Sequence, residues 1–116
     1  MLFDTHAHLN DEAFHADREE LIASLPQKKI TPVMNPGCNL EDSKKGIALA
    51  EKYDFVYCAV GSHPDSADEV NESVIAQYRD LCRHPKVKAI GEIGLDYHYE
   101  DIPRELQKKA FIMQME

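Results

Sequence analysis

The sequence contains no apolar run that approaches the ~20 residues of a membrane-spanning helix. An export signal, with a basic region before an apolar stretch, is also missing from the N-terminus, where Asp4 stands. The three cysteines are odd in number and widely spaced, so they fit neither a disulfide framework nor a CxxC metal site. Cys38, Cys58 and Cys82 are therefore expected to be reduced, mostly buried thiols of a cytoplasmic protein without a membrane partner.

Basic residues are in the minority. Lys and Arg number 13 against 21 Asp and Glu, which gives a net charge of -8. A chain with this balance is not expected to hold nucleic acid through a basic face. Chemistry on nucleic acid is still compatible with it, because bound divalent cations can supply positive charge locally.

Short strand-like runs alternate with amphipathic helical stretches four times along the chain. The predicted strands cover residues 1–5, 30–35, 55–60 and 87–94. Four helix starts are indicated by capping residues or proline, namely Asp17 with Glu20, Asn39, Asn71 and Pro103. Four consecutive βα units predict a parallel sheet with right-handed crossovers and helices on its outside.

The length of the repeat indicates a larger architecture. Four units in 116 residues average roughly 29 residues each, and eight such units would approach the ~250 residues of a (β/α)8 barrel. The last residues, "KKAFIMQME", show no helix stop signal. We therefore expect residues 1–116 to form a single partial domain, the first half of a TIM-type barrel. The alternative is a small, complete, open α/β sheet.

Two histidines follow the first strand in "FDTHAHLN" (3–10). Residues i and i+2 of a strand share a face, and the C-terminal strand ends of a barrel form its catalytic mouth. His6 and His8 are therefore candidate ligands of one metal ion, with Asp4 expected to fix a histidine tautomer from behind or to act as an outer ligand. The alternative is that one or both histidines are ordinary polar loop residues.

A second candidate cluster lies at the fourth strand, in "IGEIGLDYH" (90–98). Glu92 is a carboxylate within an apolar run, and burying it is costly unless it is paired or binds a metal. Its neighbouring glycines favour the ligand interpretation over pairing with a buried Lys or Arg. Asp96 and His98 are weaker candidates for the mouth, Asp96 in a supporting position behind the ligands.

The remaining histidines are divided between function and structure. His63, in "GSHPD" (61–65), follows the third strand. It either hydrogen-bonds a substrate phosphate at the mouth or braces a proline-containing loop, and the sequence does not separate the two. His15 precedes a predicted helix, and His84 lies near a helix C-terminus, where a cation is favourable. Both are expected to be structural.

Three motifs, "DTHAHL", "VGSHP" and "AIGEIGLDY", in this order and spacing, resemble the N-terminal half of the TatD-type metal-dependent deoxyribonucleases. Gln107, Phe111 and Gln114 match that family's pattern as well. The resemblance implies a (β/α)8 barrel with two divalent metals that hydrolyses phosphodiester bonds of DNA. By position, it implies that His6 and His8 bind the first metal and that Glu92 is a catalytic residue bridging both.

The family pattern also requires two later histidines and an aspartate, from strands that this chain lacks. We therefore expect the 116-residue chain alone to be inactive, and to self-associate or to pair with the missing C-terminal half. Zn, Ni, Fe, Mg and Mn all remain open as the metal. Two other functions stay open: another hydrolase with a DxHxH start, such as an amidohydrolase or phosphoesterase, and a non-catalytic metal-binding or interaction fragment.

Overall fold

A computed structural model describes all residues, Met1–Glu116, as four βα units in succession. The strands are β1 (Leu2–Asp4), β2 (Ile30–Pro36), β3 (Val56–Val60) and β4 (Val87–Ile90). The α-helices are α1 (Arg18–Ser24), α2 (Leu40–Glu51), α3 (Glu72–Leu81) and α4 (Arg104–Met115). Two short 3-10 helices, Glu12–Phe14 and Pro64–Glu69, lie in the connections after β1 and β3.

The strands form one parallel sheet in the order β1-β2-β3-β4, as the alternation predicted. Successive strands are neighbours, which is the arrangement expected when each helix returns the chain to the adjacent position. All four C-terminal strand ends therefore lie at one edge of the sheet. The predicted candidate residues follow three of these ends, after β1, β3 and β4.

The core lies between β3 and the helices. Val56, Cys58 and Val60 alternate along β3 and are fully buried, and they pack with α2 and α3 in one apolar cluster. Cys38 is only half-buried and Cys82 is exposed, so the expectation of mostly buried thiols is wrong for Cys82. The reason is that Cys82 caps the end of α3, beyond the last turn that packs on the sheet.

The predicted N-caps are confirmed for the two helices, α2 and α3, that are preceded by a residue with extended backbone. Asn39 accepts a hydrogen bond from the Asp42 N–H at 2.8 Å, and Asn71 accepts one from Val74 at 3.0 Å. Asp17 precedes α1 but makes no such bond, so the predicted capping box is absent. The chain enters α1 from a preceding turn, in which the Asp17 N–H donates to the Phe14 carbonyl, and this leaves the carboxylate badly placed for the helix amides.

Two strands end earlier than predicted, which changes the setting of the candidate residues. Strand β1 ends at Asp4, and β4 ends at Ile90 rather than at residue 94. Gly91 still donates to the Val60 carbonyl, but the Glu92 N–H turns to the Gly37 carbonyl at 2.7 Å. Glu92 therefore lies in a loop at the strand end rather than inside an apolar strand.

The outer strands are unprotected. Both β1 and β4 have one unpaired edge, and exposed apolar side chains accompany them, including Leu2, Phe3 and Ile90. This contrasts with β3, which is buried along most of its length.

None of the helices has the combination of length and apolar character that crossing a membrane requires.

Candidate metal centre

The loop after β1 carries His6 and His8 and is anchored to β2 on both sides of His8. The Ala7 N–H donates to the Met34 carbonyl at 3.0 Å, and the Leu9 N–H donates to the buried side-chain oxygen of Asn35 at 3.0 Å. These bonds fix the loop backbone on both sides of His8. The Nε2 atoms of His6 and His8 lie 3.1 Å apart. Both residues lie beyond the end of β1 at Asp4, so strand pleating does not set their positions.

Glu92 joins the two histidines. Its Oε2 lies 3.3 Å from Nε2 of His6 and 3.3 Å from Nε2 of His8. A point equidistant from the three atoms lies about 1.9 Å from each, close to the ~2.0–2.2 Å at which Zn²⁺ binds imidazole nitrogen and carboxylate oxygen. Two imidazoles and a carboxylate therefore fit a divalent first-row metal in both chemistry and spacing.

The alternative interpretation of Glu92 does not hold. No Lys or Arg lies within ion-pair distance of it; the side chains that do are His6, His8 and, at 3.8 Å from Oε1, His63. The side chain is also 30% exposed, so it is not a fully buried charge in need of a basic partner. The polar neighbours it does have are all imidazoles, which are metal ligands in their neutral form.

His63 contacts both its own loop and Glu92. It precedes the 3-10 helix Pro64–Glu69, and its Nδ1 accepts a hydrogen bond from the Asp65 N–H at 3.2 Å, which braces the loop. The carboxylate of Asp65 also lies 2.9 Å from Nδ1. The opposite nitrogen, Nε2, faces Glu92 at 3.8 Å, so the same ring lines the site.

The two predicted supporting residues, Asp4 and Asp96, make local backbone contacts. The Asp4 carboxylate accepts a hydrogen bond from the backbone N–H of His6 at 3.1 Å, so it orients the loop and not an imidazole tautomer. The Asp96 carboxylate accepts from the His98 N–H at 3.0 Å and stays within its own loop. Neither carboxylate belongs to the group of converging ligand atoms, which is His6, His8 and Glu92.

Three further histidines, His15, His84 and His98, are not among the converging ligand atoms. His84 is 2.9 Å from Glu51 through Nε2, and its Nδ1 accepts from the Lys86 N–H at 3.1 Å. These contacts join the turn after α3 to the end of α2, which is a structural role. His15 ends the 3-10 helix Glu12–Phe14 through its backbone and is exposed.

Ser62, the residue before His63, is held from three directions. The amide of Gln114 in α4 donates to the Ser62 carbonyl at 3.1 Å and accepts from the Ser62 N–H at 2.7 Å. The Ser62 hydroxyl lies 2.5 Å from Glu69 and 2.7 Å from the Tyr78 hydroxyl. Burial raises the pKa of Tyr78 well above its ordinary value, so this hydroxyl stays protonated. The position of His63 therefore depends on side chains from both α3 and α4 that contact Ser62.

Gln114→Ala is expected to lower stability by about 2 kcal/mol, because it leaves two buried backbone groups of Ser62 unpaired. The measurement is the midpoint of urea unfolding at fixed protein concentration, with an unchanged slope. Gln77→Ala is the matched control: its amide oxygen accepts only one exposed bond, from Lys44, so the loss should stay within about 0.5 kcal/mol. Equal effects of the two variants would contradict this role for Gln114.

The loop after β2 was not predicted to matter, because it contains no typical ligand set. The Gly37 carbonyl accepts the Glu92 N–H at 2.7 Å, and the Cys38 carbonyl accepts the His63 N–H at 2.8 Å. The Cys38 sulfur lies 3.8 Å from Nδ1 of His8. Burial, helped by nearby carboxylates, raises the pKa of the Cys38 thiol to about 11, so it is a neutral thiol at pH 7.

Sequence comparison identifies a family model and several relatives that match this chain. A family model described as "TatD related DNase" matches residues 3–116. The uncharacterized metal-dependent hydrolase YabD of Bacillus subtilis is 41% identical over 111 residues, which are 96% of this chain and 44% of that protein. The 3'-5' ssDNA/RNA exonuclease TatD of Cronobacter sakazakii is 32% identical over 114 residues, which are 98% of this chain and 43% of that protein.

A solved structure supports the same relationship. The crystal structure of YJJV, a TatD homolog from Escherichia coli, superposes with a TM-score of 0.86 and 29% identity over 98% of this chain and 45% of that one. The chain thus spans less than half the length of these relatives. Four parallel βα units that cover about half of such a relative confirm the predicted half of a TIM-type barrel.

Proposed function

The chain belongs to the TatD-related DNase family, and from this premise we propose that it supplies half of a metal-dependent active site that hydrolyses phosphodiester bonds in DNA. His6, His8 and Glu92 would hold a divalent cation, and the whole enzyme would hold two. The observation that carries the proposal is the convergence of three ligand atoms, from loops after β1 and β4, at 3.1–3.3 Å from one another.

The donor set suits this chemistry. Bound divalent cations would act there as Lewis acids on a phosphoryl oxygen and make water more acidic at neutral pH. The two oxygens of Glu92 face different neighbours, Oε2 toward the paired imidazoles and Oε1 toward His63. One carboxylate can therefore compensate cationic charge on both sides, which agrees with the bridging role that the family resemblance implies for Glu92.

His63 is suited to bind a phosphate oxygen of the substrate. Its two ring nitrogens both lie near carboxylates, Nδ1 at 2.9 Å from Asp65 and Nε2 at 3.8 Å from Glu92. Nε2 is the nitrogen that faces the site, and it is a hydrogen-bond donor when it carries a proton. An N–H directed into the site is a donor that a phosphodiester oxygen can accept.

A second candidate function rests on the size of the ligand set. Only three ligand atoms converge in this chain, and no further His, Cys, Asp or Glu joins them. A metal-binding fragment without catalysis would need nothing more. Family membership argues against the remaining alternatives, an amidohydrolase or a phosphomonoesterase, since the matched family is that of DNases.

The proposal is tested on the chain at a verified length of 116 residues. We expect Mn²⁺ to bind in calorimetry and to increase binding of single-stranded DNA in fluorescence anisotropy, relative to samples with EDTA. Hydrolysis should remain about 10²–10⁴-fold below that of the Cronobacter exonuclease, the range that general acid–base groups contribute. Metal binding without any gain in DNA binding would favour the non-catalytic function. Hydrolysis of amides or phosphomonoesters would contradict the DNase assignment.

A further inference from the structure

The loop after β2 is the one strand-end loop without a predicted site residue, yet it contacts each of the other three. Two of these contacts are backbone hydrogen bonds, to Glu92 through Gly37 and to His63 through the Cys38 carbonyl. The third is made by a side chain, the Cys38 thiol, whose sulfur lies 3.8 Å from Nδ1 of His8. This contact bears on the metal centre, because it meets the nitrogen opposite the one that faces Glu92.

The orientation of the His8 ring depends on that opposite nitrogen. Metal-binding histidines are usually held by a partner on the second ring nitrogen, and losing that partner weakens metal binding. The Asp4 carboxylate does not fill this position, since its bond goes to the His6 backbone. A thiol is both a weak hydrogen-bond donor and a weak acceptor. It can therefore hydrogen-bond Nδ1 of His8 whether or not that nitrogen carries a proton.

The loop that carries the thiol is held in place by its backbone. The Cys38 N–H donates to the Asp42 carboxylate at 2.9 Å, and Asp42 in turn accepts from the Asn10 amide at 3.2 Å. The preceding residue packs closely on α2: a Cβ at Gly37 would lie 2.2 Å from the Ser43 hydroxyl. The loop therefore has little room to shift the sulfur relative to His8.

We propose that Cys38 is a positioning residue of the metal centre, whose thiol holds the His8 imidazole with Nε2 turned toward Glu92. This inference rests on the proposed function for the identity of the ligand, a divalent cation. It adds a residue that supplies no ligand atom itself: its sulfur is not among the converging ligand atoms.

Calorimetry with Mn²⁺ tests the inference, since Mn²⁺ does not favour sulfur ligands. Cys38→Ala is expected to weaken Mn²⁺ binding about 10-fold, the lower end of the effect of outer partners. Cys38→Ser should stay within about 3-fold of the wild type, because a hydroxyl also donates and accepts. Cys82→Ala, which removes an exposed thiol at the end of α3, is the matched control and should change nothing. An unchanged affinity in Cys38→Ala, or equal losses in the alanine and serine variants, would overturn the proposal.

Ring nitrogen NMR of the metal-free chain separates this inference from the proposed function. The His8 Nδ1 resonance should move in Cys38→Ala and stay near its wild-type value in Cys38→Ser. If the wild type binds no Mn²⁺, the proposed metal site fails, while the ring resonance still reports the contact with Cys38. A His8 ring signal that is the same in the alanine variant would overturn the positioning role whatever the metal result.

Discussion

Glu92→Gln is expected to weaken Mn²⁺ binding by more than about 100-fold, beyond the ~10–100-fold that outer partners of metal ligands typically contribute. The substitution keeps the size of the side chain but removes the negative charge that faces both imidazoles at 3.3 Å. The two histidines alone then provide too few ligands for the cation and no negative charge to balance it. Calorimetry of the wild type and the variant at the same pH gives the ratio directly.

The control for this experiment is Glu100→Gln, which makes the same change of charge in an exposed loop residue after β4. Its Mn²⁺ affinity should match the wild type within about two-fold, since isolated surface charges act weakly in salt solution. A similar loss in both variants would show that net charge, and not ligation by Glu92, governs binding. If Glu92→Gln binds Mn²⁺ as tightly as the wild type, Glu92 is not a metal ligand.

Self-association is the second large effect, and we propose a second copy of the chain as the partner of the open sheet. Unpaired strand edges invite pairing with another chain, and here both β1 and β4 are open and lie beside exposed apolar residues such as Leu2 and Ile90. In a two-fold pair, β4 of one copy would lie parallel to β1 of the partner copy. Sedimentation at micromolar concentration is therefore expected to show a dimer or a larger species.

Charges placed on the edges should reverse this association. The double variant Leu2→Lys with Ile90→Lys puts a lysine on each open edge, the device by which natural edge strands avoid pairing. It is expected to sediment as a monomer. Ala76→Lys adds the same type of charge at an exposed position of α3 and should leave the wild-type state unchanged. A wild-type chain that remains a folded monomer would contradict the proposal.

The sequence alone determined the architecture, because the signals for strands and helices are local and periodic. Short apolar runs that alternate with amphipathic stretches predict the strands. Asn39 and Asn71 start helices through bonds to residues three positions away. Placement of His6, His8 and Glu92 near one another followed from topology, since the ends of parallel strands meet at one edge. Their roles as ligands remain predictions.

Only the tertiary structure decided how the site is held. Strand β4 ends at Ile90, and the Glu92 backbone N–H then donates to the Gly37 carbonyl, on a loop 55 residues away along the chain. The bonds from Gln114 to Ser62 span 52 residues, and the contact of Cys38 with His8 spans 30. Such contacts leave no local pattern in the sequence, because each joins two segments that are distant along the chain. The packing of the helices on the sheet sets the relative positions of those segments.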